Sequence, residues 1–369
     1  MRIVQVWSAL ESGGAGKATL DFIQELVQQG HKPVVISAGG ALVARLKLHG
    51  IEHIQLPLHK KPVWSQGLVR RLRSALEELQ ADVIHVHGRL PALLVWRAWR
   101  KMPKEARPRL VTQVDHCYPP SRGNAALVAG DSVIASSQCV ADYLNERYGV
   151  QQVRVIHRGV SHREFDRSKP VSGQWQLRLL NDYPQLEGKN WWLYTGALSP
   201  EGELEVFLRS LSKAILSRED IQGLVVGTPQ EDDLRSLRKL EQLAQRLGLD
   251  GKVLFLGARQ DMRELYASSQ LFFSLAGPRD PCGKNAMAAL AMGCPVIAYK
   301  DSCAGEVVKH CFPQGLIERG NLEALADVAL GLMNKASKVE LHSFFHTDIV
   351  RKTLNLYWEL HAPSQVDRS

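Results

Sequence analysis

The sequence predicts an α/β protein made of two Rossmann-like domains with parallel sheets. Two observations carry this. Short apolar strand patterns alternate with amphipathic helical patterns, as in parallel α/β layers, and the alternation runs twice, broken by an irregular stretch at 162–189 that holds Pro170, Gly173, Pro184 and Gly188. At 369 residues the chain is long for one domain and comfortable for two.

In the first half, strands are expected at 3–6, 33–37, 51–56, 82–86, 109–114, 132–135 and 153–156. Helical stretches at 17–29 and 67–79 lie between them. In the first of these, Leu20, Phe22, Ile23, Leu26 and Val27 share one face at helical spacing. The second alternation places strands at 192–195, 223–226, 253–256, 271–274 and 295–299, with a long charged amphipathic helix over 231–247. A small-residue helix follows Gly283 and stops at Gly293, and 341–360 reads as a terminal helix. The expected boundaries are 1–165 for the first domain, 166–340 for the second, and 341–369 for a terminal helix and tail. Such domains take ligands at the C-terminal ends of their strands.

Composition describes an ordinary globular chain, 45% hydrophobic and 23% charged. No apolar run approaches the roughly 20 residues that span a bilayer. The segment MRIVQVWSAL enters a strand pattern directly and lacks the apolar core and cleavage site of a signal peptide, so a cytoplasmic location is expected. The six cysteines form no Cys-x-x-Cys pair and no metal-ligand spacing with histidine, which points to reduced thiols. Net charge is +8 and lopsided: residues 1–170 hold 24 Lys+Arg against 14 Asp+Glu, and 60–109 hold 12 against 4. Either an anionic partner or a merely solvated basic face accounts for this. Around 90–102, Trp96 and Trp99 interleave with Arg97, Arg100 and Lys101, and Arg89 precedes them. Basic and aromatic residues together suit a membrane interface, whereas tryptophans at helical spacing also suit a core. No nucleic-acid module accompanies the charge, so nucleic acid is not expected as a partner.

Ser12-Gly13-Gly14-Ala15-Gly16-Lys17 joins the first strand to the first helix. Glycines there let backbone N–H groups approach a phosphate or sugar, or make a tight turn. It is not a Walker A loop, because Glu11 stands where the first glycine is required and Ala18 replaces the Ser/Thr.

The stretch Asp280-Pro281-Cys282-Gly283-Lys284 through Pro295-Val296-Ile297-Ala298-Tyr299 resembles the donor-nucleotide element of family 4 glycosyltransferases, retaining enzymes with the GT-B fold. Further likenesses lie at Val35-Ile36-Ser37-Ala38-Gly39-Gly40, His85-Val86-His87-Gly88-Arg89, Val155-Ile156-His157-Arg158-Gly159-Val160 and Phe255-Leu256-Gly257-Ala258-Arg259. They are most similar to a bacterial subgroup that builds lipopolysaccharide core or other cell-surface glycans. The resemblance implies two domains facing a cleft, with the C-terminal helix crossing back. It also implies a nucleotide-sugar co-substrate, UDP- or GDP-linked, no cofactor and no metal. The donor is then expected between Gly13-Gly14 and the Asp280–Lys284 helix start, with Arg259 and Lys284 on phosphate and Glu306 among the donor residues. A lipid-linked acceptor and an anionic inner-leaflet surface become the expected partners, with Arg89, Trp96, Arg97, Arg100 and Lys101 on that side.

The family's catalytic positions are only partly kept. Its Thr-x-Val-His-Gly is here Thr112-Gln113-Val114-Asp115-His116, so either Asp115 or, after a one-residue slip, His116 faces the sugar. Its Arg and Lys for the diphosphate correspond to Ala197 and Gly202, and its ribose-gripping carboxylate to Ala288. Losing one preorganised donor to a transition state costs on the order of 3 kcal/mol. Two expectations follow: a transferase of surface glycans, or a catalytically impaired relative that binds a glycan or organises a partner enzyme.

Overall fold

The computed structural model describes residues 1–11, 14–59, 66–196, 198, 202–227, 234–277, 283–334, 339, 341 and 343–361, without the side chains of 14, 15, 17, 18 and 234–237. The chain divides into two compact units, Met1–Ser161 with Phe344–Ser369, and His162–Ser343.

The first unit is a seven-stranded parallel sheet. Its strands are β1 (Arg2–Val6), β2 (Lys32–Ser37), β3 (Glu52–Gln55), β4 (Val83–His87), β5 (Arg109–Val114), β6 (Ser132–Ala135) and β7 (Val153–Val155), in the spatial order β3-β2-β1-β4-β5-β6-β7. Its helices are α1 (Gly14–Gln28), α2 (Val43–Leu48), α3 (Gln66–Leu79), α4 (Arg89–Trp99) and α5 (Gln138–Tyr148). Strand runs such as Val83-Ile84 and Val133-Ile134 are apolar at successive positions because both faces are covered. The period of two then sorts neighbours to opposite sides. Val4, Ile84, Leu110 and Val133 join a core with Leu72, Leu94 and Val140, while Ile3, Val83, Val111 and Ile134 join another with Ile23, Leu26, Val350 and Tyr357.

The last residues come from the final helix of the chain, His346–His361, which packs against α1. It belongs with the first unit rather than forming a separate tail. His346 seals the junction, its Nε2 lying 3.0 Å from the carbonyl of Gly159, and a Cβ at Gly159 would come within 2.9 Å of the same ring.

The second unit carries a six-stranded parallel sheet, ordered β10-β9-β8-β11-β12-β13. The strands are β8 (Asn190–Thr195), β9 (Ile221–Val226), β10 (Val253–Gly257), β11 (Leu271–Ser274), β12 (Val296–Tyr299) and β13 (Leu316–Ile317). Around them lie α6 (Gly173–Asp182), α7 (Glu203–Ile215), α8 (Leu234–Arg246), α9 (Met262–Ser268), α10 (Lys284–Ala291), α11 (Cys303–Cys311) and α12 (Leu322–Met333), so the terminal helix His346–His361 is α13. Trp192, Phe207 and Phe273 centre the core, with ring centroids 5.0 and 5.1 Å apart.

Every strand expected from the sequence is present, with ends shifted by one or two residues. Two elements differ. The stretch at 162–189 contains α6, whose Trp175 and Leu179 are buried; Gly173 and Pro184 bound it closely enough to hide the pattern. The short strand β13 has only two residues and no periodicity to read.

Candidate functional site

Each sheet reverses its strand order once, between β1 and β4 in the first unit and between β8 and β11 in the second. Such switch points are where open α/β sheets take ligands. The polar side chains collect there.

In the first unit, Gln5, His85, His87 and Gln113 stand on β1, β4 and β5, all buried. His87 Nε2 lies 2.7 Å from Gln5 Oε1, and Tyr357 of α13 reaches His85 Nδ1 at 2.6 Å. Trp7 stacks on His87 at 3.7 Å, and the Arg158 guanidinium lies over the other side of the cluster, 5.5 Å from the Trp7 ring. Burial pushes His85 down to about 3, with the nearby Arg158 charge adding to it. Burial, then His85 and Arg158, holds His87 well below the usual range. Both rings are therefore neutral at pH 7.

Asp115 follows β5. Arg158 binds both of its oxygens, Nη2 to Oδ2 and Nε to Oδ1 at 3.1 Å, and Gln113 Nε2 donates to Oδ1 at 3.2 Å. Burial works to raise its pKa, but the Arg158 charge and hydrogen bonds, with Gln113 and His116, bring it below the ordinary carboxylate value. Asp115 takes the inner position. His116 is exposed, its ring 5.6 Å from Tyr118, which also carries Arg89 at 5.8 Å. Gly14 opens α1, and Gly16 has no room for a side chain, since a Cβ there would sit 2.0 Å from the Glu11 carbonyl oxygen. Gly13 lies outside the described residues.

In the second unit, Gly283 caps α10 with φ +53, and a Cβ on it would meet the Cys303 carbonyl oxygen at 2.9 Å. Both the dihedral and the contact require glycine. Lys284 and Asn285 begin the helix, and Asn285 Nδ2 donates to Thr195 Oγ1 at the end of β8, 3.0 Å away. Glu306 lies in the first turn of α11, which Ser302 caps through the Gly305 N–H at 2.9 Å. Ala288 is 2% exposed, its methyl sealed inside the small-residue face of α10. Gly202 caps α7 with φ +116. Asp280 and Ala197 lie outside the described residues.

Arg259 is committed to a neighbour. Its Nε and Nη2 bind the two oxygens of Asp261 at 2.9 and 2.6 Å, and Trp175 Nε1 donates to the same carboxylate at 2.6 Å. The sequence did not single out Arg319. It lies 4.1 Å over the Tyr299 ring, binds Asp301 through two nitrogens, and lines a cavity of about 290 Å³ beside Gly202 and Asn321. Arg158, Gln113, Trp7 and Tyr357 were likewise missed. Arg158 sits inside a stretch already marked as a family likeness, whereas Tyr357 is one apolar-face residue of a helix and carries no local signal.

On the basic side, Arg89, Arg97, Arg100 and Lys101 are exposed. Trp96 is packed against the core with Arg100 over its ring at 4.6 Å, and Trp99 donates to the Pro108 carbonyl at 2.8 Å. The tryptophans thus serve packing as well as surface. Among the described residues no His, Cys, Asp and Glu group could hold a metal, and no helix is long and apolar enough to cross a membrane. Five cysteines are free thiols; Cys282 lies outside the described residues.

Residues 12–164 match the family model for Glycosyltransferase Family 4, and residues 189–335 match that for Glycosyl transferases group 1. The chain is 21% identical to N-acetyl-alpha-D-glucosaminyl L-malate synthase of Bacillus anthracis, over 89% of this chain and 86% of that one. It superposes on a glycosyltransferase from Rickettsia africae with a TM-score of 0.78 and 23% identity, covering 98% and 99% of the two chains. Anabaena HepE, solved with UDP and glucose, gives 0.74 and 21%, covering 97% and 100%. At these identities the structural likeness is one of fold. Together, the two family matches and the paired parallel sheets make this chain a glycosyltransferase of the family 4 type with the GT-B fold.

Proposed function

We propose that the protein transfers a sugar from a nucleotide-sugar, UDP- or GDP-linked, to a lipid-linked acceptor of a cell-surface glycan such as lipopolysaccharide, with retention of configuration. The start of α10 carries the donor half. Gly283 lets the backbone come close, Lys284 brings positive charge, and the helix end adds its dipole at the switch point of the second sheet. The UDP and glucose bound to Anabaena HepE support the same class of donor. In this reading no metal or cofactor is used: Lys284, Arg259 and Arg319 meet the leaving group's charge with the helix end. Asp115, paired with Arg158, faces the transferred sugar.

The exposed Arg97, Arg100 and Lys101 support docking of the first unit on an anionic inner leaflet, where a lipid-linked acceptor would be met. The Bacillus relative is named for a malate product, and a basic first unit suits an anionic acceptor of that kind equally well. Calorimetric titration with a panel of UDP- and GDP-sugars tests the donor. Micromolar binding of one is expected, and silence across the panel defeats the reading. Sedimentation with vesicles of anionic lipid at low salt tests the docking.

A second reading, a glycan-binding or scaffolding relative without turnover, is favoured by Gly202 and Ala288. Neither can supply the charge that the family places there, and Ala288 is sealed in the core. Donor binding without turnover on any acceptor, together with an unaltered cellular phenotype for Ala288→Glu, would support it.

A further inference from the structure

Tyr357 lies near the end of the described chain, yet its side chain is fully buried against β1 and β4 at the switch point of the first sheet. Its hydroxyl oxygen accepts from Gln5 Nε2 at 3.2 Å and lies 2.6 Å from His85 Nδ1. With Gln5 as donor, the phenolic proton is left for Nδ1, and a neutral His85 carries its own proton on Nε2. The other amide atom of Gln5, Oε1, can only accept, so Nε2 is the protonated nitrogen of His87. One phenol thereby settles the tautomers of two buried imidazoles, one directly and one through Gln5.

The order continues beyond His85. Its Nε2 is buried with no partner at hydrogen-bonding geometry, and Gln113 lies beside it as a favourable neighbour. Gln113 spends its Nε2 on Asp115 Oδ1, which leaves its amide oxygen as the acceptor turned to His85. Tyr357, His85, Gln113 and Asp115 thus form one polar line from α13 to the carboxylate that Arg158 grips.

We propose that Tyr357 is a positioning residue for Asp115: by fixing the tautomer of His85 it keeps the Gln113 amide turned with its NH2 toward the carboxylate. The functional half of this rests on Asp115 facing the transferred sugar; the line of hydrogen bonds does not. Without the hydroxyl, the His85 proton is free to sit on either nitrogen. When it sits on Nδ1, Nε2 becomes an acceptor. A Gln113 amide that turns to donate to it sets an oxygen against an oxygen of Asp115. The carboxylate then keeps Arg158 and the more distant His116 but loses its neutral donor.

Tyr357→Phe in the whole chain keeps the ring and removes one oxygen. Nitrogen-15 spectra of the imidazoles and carbon-13 titration of Asp115 read the consequence directly. His85 is expected to pass from one tautomer to a mixture, and Asp115 to titrate at a higher pH than in the parent. His346, on the same helix but bound to Gly159, is expected to stay unchanged. Sugar transfer should lose roughly tenfold in kcat at constant donor KM, the rate equivalent of one buried hydrogen bond. An unchanged His85 tautomer with an unchanged Asp115 titration overturns the proposal. A shifted titration with undiminished transfer keeps the positioning line and removes Asp115 from the reaction, so the two failures are told apart. If Tyr357→Phe does not fold, His85→Leu cuts the same line with Gln113 and Asp115 intact, and an unmoved Asp115 there overturns it too.

Discussion

Arg158 holds Asp115 by both carboxylate oxygens while its guanidinium lies over Trp7. The two side chains are only 24% and 19% exposed, so neither charge has full access to water. A pair placed this way gives little net stability, but removing one partner leaves the other uncompensated.

Arg158→Met is therefore expected to cost about 3 kcal/mol of stability and to raise the Asp115 pKa. Arg158→Lys should cost less, since it keeps the charge and loses the two-nitrogen grip. Urea midpoints at pH 7 measure the first effect, and carbon-13 titration of Asp115 the second. An Arg158→Met protein as stable as the parent would remove the pair from the architecture of the site.

Acid should weaken the first unit before any carboxylate titrates. His85 and His87 are held neutral in the fold, with pKa values below that of an unfolded histidine, about 6.5. The unfolded chain binds more protons below that pH, so stability falls as pH drops from 6.5 toward the folded value, about 3 for His85. Each histidine contributes a slope approaching about 1.4 kcal/mol per pH unit. Asp115, lowered instead, loses its contribution only below the ordinary aspartate pKa. Melting curves from pH 7 to 4.5 should fall steadily, and His85→Gln should flatten them. A flat profile in the parent would mean that water reaches these rings.

Gly283→Ala meets two obstacles at once, a left-handed φ and a carbonyl oxygen 2.9 Å from the new Cβ. A loss of about 1–3 kcal/mol is expected. Because the strain falls at the start of α10, UDP affinity should drop by more than the global stability does. Calorimetry with UDP set beside urea unfolding separates the two quantities.

Ala288→Glu tests whether the missing ribose carboxylate can simply be restored. The methyl is 2% exposed and its neighbours Met287, Ala289 and Leu290 are buried. An overpacked carboxylate without a partner should cost about 2 kcal/mol or more in the unliganded protein. If UDP binds Ala288→Glu more tightly and recovers the lost melting temperature, the pocket has room on the nucleotide side. If both stay low, the small residue is built into the helix packing.

The alternation of strands and amphipathic helices is a local property, because each run of Val, Ile and Leu must be buried wherever it ends up. The strand set, the two-domain reading and the small-residue helix ahead of Gly293 were legible for that reason. Asp115, Gly283, Lys284 and the empty positions Gly202 and Ala288 could be singled out because they sit at fixed spacings within recognisable motifs. Helix α6 was not legible, since one buried Trp and one Leu between Gly173 and Pro184 make too short a pattern.

Partnerships across long separations belong to the tertiary structure alone. Nothing in the spacing says that Arg158 meets Asp115 rather than a phosphate, that Arg259 is tied to Asp261, or that Trp96 turns inward. The clearest case is Tyr357, 272 residues from the histidine whose proton it places. Periodicity could mark the helix of Tyr357 as amphipathic, but only the packing of α13 on α1 could bring that hydroxyl under β1 and β4. Charge pairing and tautomers depend on which atoms lie within about 3 Å, and that distance is set by folding, not by order along the chain.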